Sequence, residues 1–254
     1  MSAATRPGLA RVEHVMGMPV VVDVRDDDVD EAAVDVAFAW LRHVDETFST
    51  YRATSEISRI ARGGLLPERA SPEVREVLDA CESYRLETRG YFDACPAGRL
   101  DPSGYVKGWA VDRAAAVLLA AGARNVAVNA GGDMRLAGRA LPGDGWRVGI
   151  QHPLESGALA AVVELGDGAV ATSGAYRRGE HILDPHTGRP PRGLLSVTVT
   201  GPELARADVY ATAAFAMGAE RGPRWTTRLR GYEALSILED GTTYATPGFP
   251  FAPA

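Results

Sequence analysis

Apart from Asp208 and Thr212, the stretch ADVYATAAFAMG at residues 207–218 is apolar, and it lies in a run from 202 to 217 that reads as a helix closed by Gly218. A helix that is apolar all round has no face to offer water, so other elements have to pack around it. A chain of 254 residues with 46% apolar side chains is long enough to build those layers. Asp208 and Thr212 are four residues apart and share one helix face. A buried carboxylate without compensation is costly. One solution is a hard cation such as Mg2+, which takes oxygen ligands; a carboxylate and a hydroxyl one turn apart can supply two of them. The other is local: Asp208 complements the helix N-terminus and Thr212 bonds back to a carbonyl. The residues alone leave both open.

Around this helix the chain reads as blocks of helices and strands rather than strict alternation, which predicts an α+β fold with mixed or antiparallel sheets, flanking helices and room for two lobes. Residues 11–26 alternate as a strand or hairpin. Residues 28–48 read as an amphipathic helix opened by Asp28 and Glu31, with Val29, Ala33, Val36, Trp40, Val44 and Phe48 as its apolar face. Ser71 and Pro72 open a second helix that runs to about Thr88. Residues 90–108, dense in Gly, Pro and Asp, read as a loop, with a third helix from Gly108 to Ala121. Short strands follow near 125–130, 134–137, 147–150, 161–165 and 194–200, and a closing hairpin near 232–245. The expectation is one domain over residues 1–254, with a short N-terminal tail and a Pro-rich C-terminal tail both irregular.

Net charge is −6, which argues against a nucleic-acid surface. The N-terminal residues carry no apolar core of a signal peptide, and no run of ~18 apolar residues follows. The expectation is a cytoplasmic protein without membrane insertion. Cys81 and Cys95 stand in no CxxC or CxxH spacing, so two free thiols are expected rather than a zinc site.

Four further segments carry chemistry. In FSTYRATSEISRI, Tyr51 offers an aromatic face with a polar tip to a flat ring, while Ser55-Glu56 is equally a short capped turn. In GYFDACPAGRLDPSGYVKG, Gly104 and Gly108 permit close backbone approach, and Lys107 falls just before the expected helix start, where anions bind well. The order is not that of a Walker A loop. In NAGGD, residues 129–133, the first reading is a tight hairpin turn, with Asp133 available to a neighbouring site. In VATSGAYRRGEHILDPHTGRP, Thr172-Ser173-Gly174 ends a strand with hydroxyls and N–H groups, His181 is flanked by apolar residues, and Asp184-Pro185 with Thr187-Gly188 is a turn signal. No GxGxxG follows a strand, so a Rossmann-type site has no support.

The order of these motifs, FSTYRxxSEISRI, GYFDA, GYVKGWAVD, NAGGD, ATSG, HILDPHTG and ADxxATAxFxMG, resembles the ApbE-like flavin transferases over about Met16 to Leu238. The resemblance implies an α+β fold that binds FAD with Mg2+ at its pyrophosphate. Carried over by motif, it places Met16, Tyr51, Tyr91, Phe92, Asp93, Asp101 and Lys107 at FAD, together with Thr172, Ser173, Gly174, His181 and Ile182. It gives Asp208 and Thr212 as metal ligands, with the Gly104 carbonyl as a third, and His181 and Asp208 as catalytic residues. The implied activity is FAD:protein FMN transfer: protein flavinylation on a Ser or Thr of an acceptor flavoprotein, with release of AMP. Two rivals share the same site, a FAD pyrophosphatase yielding FMN and AMP, and a FAD-binding carrier without turnover. The chain departs from the family pattern in Phe92-Asp93-Ala94-Cys95, in a shorter segment between Asp93 and Leu100, in Met16-Gly17-Met18, in the short loop before His181, and in lacking a lipobox cysteine.

Overall fold

The computed structural model describes residues 8–140, 144–174 and 182–253. The chain opens with β1 (Leu9–Val15) and β2 (Met18–Val24), paired antiparallel through the two-residue turn Met16-Gly17. Both turn residues have left-handed φ, 55° and 73°. Such a turn matches the right-handed twist of the strands it joins.

α1 (Glu31–Phe48) begins three residues after the expected start, and Asp30 rather than Asp28 caps it, accepting from the Ala32 N–H at 2.9 Å. Its buried face is Val34, Phe38, Leu41, Val44 and Phe48, whereas Val36, expected inside, is exposed. Ser55 caps α2 (Glu56–Ala61), and Ser71 caps α3 (Pro72–Glu87) as expected. Both cysteines are free thiols, and burial pushes the Cys81 thiol up to about 12.

α4 (Ser103–Ala120) corrects the third helix: it starts five residues earlier, so Lys107 and Gly108 lie inside it. Glycines at 104 and 108 read as loop because glycine weakens an isolated helix. Here packing outweighs propensity. A Cβ on Gly108 would lie 2.6 Å from the Ala205 Cα on α5 (Leu204–Ala216), so the glycine lets two helices approach backbone to backbone. Gly218 ends α5 in a left-handed conformation, as expected, but α6 (Gly218–Thr226) starts there directly. Gly222 and Pro223 had hidden this helix; a Cβ on Gly222 would lie 2.3 Å from the Ala214 carbonyl oxygen.

The remaining strands are β3 (Val126–Ala130), β4 (Asp133–Ala137), β5 (Trp146–Gln151), β6 (Leu159–Leu165), β7 (Gly168–Gly174), β8 (Leu194–Gly201), β9 (Glu233–Leu238) and β10 (Thr243–Ala245). Of the ten strands among the described residues, eight form one sheet in the order β1-β2-β3-β4-β7-β8-β9-β10, every neighbouring pair antiparallel; β5 and β6 form a separate hairpin. The α+β expectation holds, on the antiparallel side of its two options. Alternation divides the strands between two cores. Val126, Val128 and Ala130 of β3 join the core built with α1, α4 and α5, while Ala127 joins a second one with Trp146, Val148, Ile150, Val163 and Phe249. Each fully buried side chain such as Phe38 or Leu41 contributes roughly 1.5–3 kcal/mol relative to exposure. The Pro-rich tail forms no regular element, yet it is fixed to β6: Glu164 donates to the Pro250 carbonyl at 3.0 Å and Ala252 to that of Val162 at 2.8 Å.

Candidate functional site

A cleft of about 1370 Å³ opens where the β1–β2 turn, the start of α4, the β3–β4 hairpin, β5, the end of β7 and α5 meet. Ligand pockets for drug-sized molecules run to ~1,000 Å³, so this one has room for a dinucleotide.

Its floor is set by α4 and α5. Asp112 on α4 accepts from the first N–H groups of α5, Leu204 at 3.1 Å and Ala205 at 2.9 Å, and so caps a helix whose own N-cap, Glu203, makes no such bond. Burial pushes the Asp112 carboxyl up, against the pull of those two N–H bonds and of Arg135. With Gly108 seated on Ala205, the two helices are fixed so that Lys107 faces Asp208.

The Lys107 ammonium contacts Asp133 directly and lies 3.3 Å from Asp208. Both carboxylates are buried, 4% and 3% exposed. Burial opposes the charge on Lys107, but the two carboxylates outweigh it and hold its pKa above the ordinary value. Beside them, Thr212 on α5 and Ser173 on β7 share a hydrogen bond of 3.1 Å. Thr172 shares one of 2.9 Å with Thr198, and its N–H donates to Asp133 at 2.9 Å.

The walls are apolar and aromatic. Tyr51 is 94% exposed at the rim. Tyr91 meets the ring of His186 edge-on at 4.7 Å and accepts from Arg221 at 2.6 Å. Phe92 is mostly in the core, edge-on to Tyr84, and shows only part of its ring to the cleft. Asp93 and Asp101 line the cleft while each spends an oxygen on a local turn, accepting from Cys95 at 2.8 Å and Ser103 at 3.1 Å.

Met16, Gly104, Gly174 and Ile182 also line the cleft, so every expected site residue among the described ones reaches it. His181 lies outside the described residues. Lys107 does not stand before the helix start as expected but one turn inside α4. The NAGGD segment is the expected hairpin, with Gly132 donating to Asn129 at 2.9 Å, but Asp133 is also a member of the floor. Sequence reasoning missed the wall supplied by β5, from Arg147 to Gln151, and the Arg52–Asp45 ion pair of 2.6 Å that also lines the cleft. The alternation of Arg147, Gly149 and Gln151 against buried Trp146, Val148 and Ile150 was the available signal.

Among the described residues no three or more His, Cys, Asp or Glu side chains gather into a metal cluster. The donors on offer are the Asp208 carboxylate, the Thr212 and Ser173 hydroxyls and the Gly104 carbonyl. An all-oxygen set with a single carboxylate fits Mg2+, which keeps several waters or phosphate oxygens among its ligands.

Met16 holds a left-handed backbone, φ 55°, at the mouth of this cleft. That conformation costs a non-glycine residue ~1–2 kcal/mol. Met16→Asn supplies the residue such turns favour, and is expected to raise the melting temperature by roughly 2–4 °C per kcal/mol recovered. If Met16 contacts the ligand, the same variant loses FAD affinity in a fluorescence titration; a gain in both would remove Met16 from the site.

The cleft thus sets one ammonium between two buried carboxylates at its floor and aromatic rings at its rim, on an antiparallel α+β scaffold. The chain belongs to the ApbE family, whose sequence model matches residues 16–98 and 94–236. It is 40% identical over 151 residues to the FAD:protein FMN transferase of Rhodobacter capsulatus, covering 56% of this chain and 28% of that protein. It is 36% identical over 172 residues to the FAD:protein FMN transferase of Vibrio cholerae, covering 64% and 52%. The structure of the flavin transferase ApbE from Vibrio cholerae superposes with a TM-score of 0.84 at 26% identity, over 95% of this chain and 97% of that one. The chain thus spans about half or less of the length of these curated relatives. No helix among the described residues is long and apolar enough to cross a membrane.

Proposed function

We propose that the protein is a Mg2+-dependent FAD:protein FMN transferase. The observation that carries this reading is the floor itself: Lys107, Asp208, Thr212 and Ser173 brought together beneath an aromatic rim in a cleft large enough for FAD. Both curated relatives described above bear that name. Lys107 binds and orients the phosphate oxygens. Asp208 and Thr212, with the Gly104 carbonyl, would hold Mg2+. When bound, that ion offsets phosphate charge as the P–O–P bond breaks. Tyr51, Tyr91 and Met16 flank the ring system.

In the reaction, the hydroxyl oxygen of an acceptor Ser or Thr attacks the phosphorus of the FMN half. A new P–O bond forms, the bridging P–O bond breaks, and AMP leaves with its electron pair. The hydroxyl proton passes to His181, since an imidazole can act as a general base.

The test is the mass of a candidate acceptor protein incubated with this protein, FAD and Mg2+. A gain equal to one FMN less water, lost when the acceptor hydroxyl is removed, is expected. His181→Ala is expected to slow the transfer ~100-fold or more while FAD still binds. Free FMN and AMP with no adduct would replace the transferase by the hydrolase.

A further inference from the structure

The Tyr91 ring reaches the cleft just past the end of α3, and three separately anchored pieces of chain meet on it. Its backbone is set by the close of that helix. Arg89 and Gly90 take left-handed φ of 56° and 82°, and the Gly90 N–H donates to the Arg85 carbonyl at 2.7 Å. The Phe92 N–H then donates to the Thr88 hydroxyl at 3.0 Å. The second piece is the turn at residues 184–189, which Asp184 organises by accepting from the His186 N–H at 2.9 Å. From that turn the imidazole of His186 lies over Gly90, where a Cβ would come within 3.2 Å of it, and meets the Tyr91 ring edge-on at 4.7 Å. The third piece is α6, whose Arg221 donates to the Tyr91 hydroxyl at 2.6 Å. α6 is itself tied down, because the Ala219 N–H donates to the Arg192 carbonyl at 3.1 Å.

A tyrosine side chain turns about its χ1 and χ2 bonds, and a ring on a cleft wall offers a fixed face to a ligand only while both are held. His186 bounds the ring along one edge, and the Arg221 guanidinium fixes its far end through a charge-assisted bond. Arg221 stands on α6, outside the residues that line the cleft. We infer that Arg221 is a positioning residue that locks the Tyr91 ring in the orientation that packs against a flat ring of the bound dinucleotide. This rests on the proposed FAD site and on Tyr91 as part of its wall. Arg221 acts through the phenol oxygen and does not touch the ligand.

FAD binding, followed by flavin fluorescence, tests this in a double-mutant cycle. Arg221→Met and Tyr91→Phe break the same hydrogen bond from its two ends while the aromatic ring stays. Each is expected to weaken FAD binding about 3- to 10-fold, the usual worth of one hydrogen bond. The double variant is expected to bind no more weakly than the weaker of the two, because the bond can be lost only once. In Arg221→Met the KM for FAD is expected to rise by the same factor with kcat near the parent's, the pattern of lost ground-state binding. Arg221 is exposed, so its variant should melt with the parent. An Arg221→Met protein with the parent's FAD affinity would overturn the role, as would an effect of Arg221→Met undiminished in the Tyr91→Phe background. Tyr91→Leu, which removes the ring, is the arm that tests the wall itself. A larger loss than in Tyr91→Phe sustains the ring contact, and parental affinity there takes Tyr91 out of the site and this role with it. A parent protein that binds no FAD would sink the proposed function as well.

Discussion

Asp208→Ala is expected to abolish Mg2+-dependent cleavage of FAD while leaving a folded protein. The carboxylate is 3% exposed on a helix whose remaining buried side chains are apolar but for Tyr210, so nothing else on α5 supplies a negative charge at the cleft floor. A bound metal contributes several kcal/mol to a phosphoryl transition state, which corresponds to a loss of more than ~100-fold in the rate of AMP release. The fold has less to lose. Removing one partner of a buried pair is severe when the other charge is left alone, but Lys107 keeps Asp133. A melting curve close to the parent's, beside chromatographic assay of AMP, checks both halves. Parental AMP release would remove Asp208 from the chemistry; early melting would make its role structural.

Gly108→Ala is expected to lower both stability and activity. The new Cβ would lie 2.6 Å from the Ala205 Cα, 2.7 Å from its nitrogen and 2.8 Å from the Leu204 carbonyl carbon, all backbone atoms. Alanine gains up to ~1 kcal/mol of helix propensity over glycine. Overpacking costs ~1–3 kcal/mol with side chains that can yield, and a backbone contact lies at the upper end. The balance is a loss of ~2 kcal/mol, or roughly 4–8 °C in melting temperature. Pushing α4 from α5 also stretches the Asp112 bonds to Leu204 and Ala205, and moves Lys107 relative to Asp208. FAD cleavage should therefore fall further than the fraction of folded protein. A Gly108→Ala variant as stable and active as the parent would mean that the close approach of the helices does not set the site.

Elements with a local cause were legible from the residues. Ser71-Pro72 opens α3 because a serine oxygen and a ring-fixed φ suit a helix start, and the apolar run of α5 had to be buried. What stayed hidden was decided by distant partners. Gly104 and Gly108 look like loop until α5 is placed against them, and Gly222 looks like a breaker until Ala214 is. The apolar residues of α1 offered two overlapping stripes, and packing buried the one through Val34, Phe38 and Leu41 while leaving Val36 outside. Motif order reached the site as far as Met16, Tyr51, Lys107, Thr172 and Asp208, because those residues fall in recognisable strings. It did not reach Arg147 or Gln151, whose strand shows only the alternation any half-buried strand shows. Asp133 was read for its turn. Its second task depends on Lys107, and no spacing in the chain announces that pair.

AMP release from FAD by the unaltered protein with a Ser- or Thr-bearing acceptor protein supplied, followed with Mg2+ and again after chelation by EDTA, tests the central claim most directly. AMP that accumulates with Mg2+ and stops with EDTA is the predicted result. FAD held tightly with no AMP formed, even with acceptor proteins supplied, would contradict pyrophosphate chemistry in this cleft and leave a flavin carrier in its place.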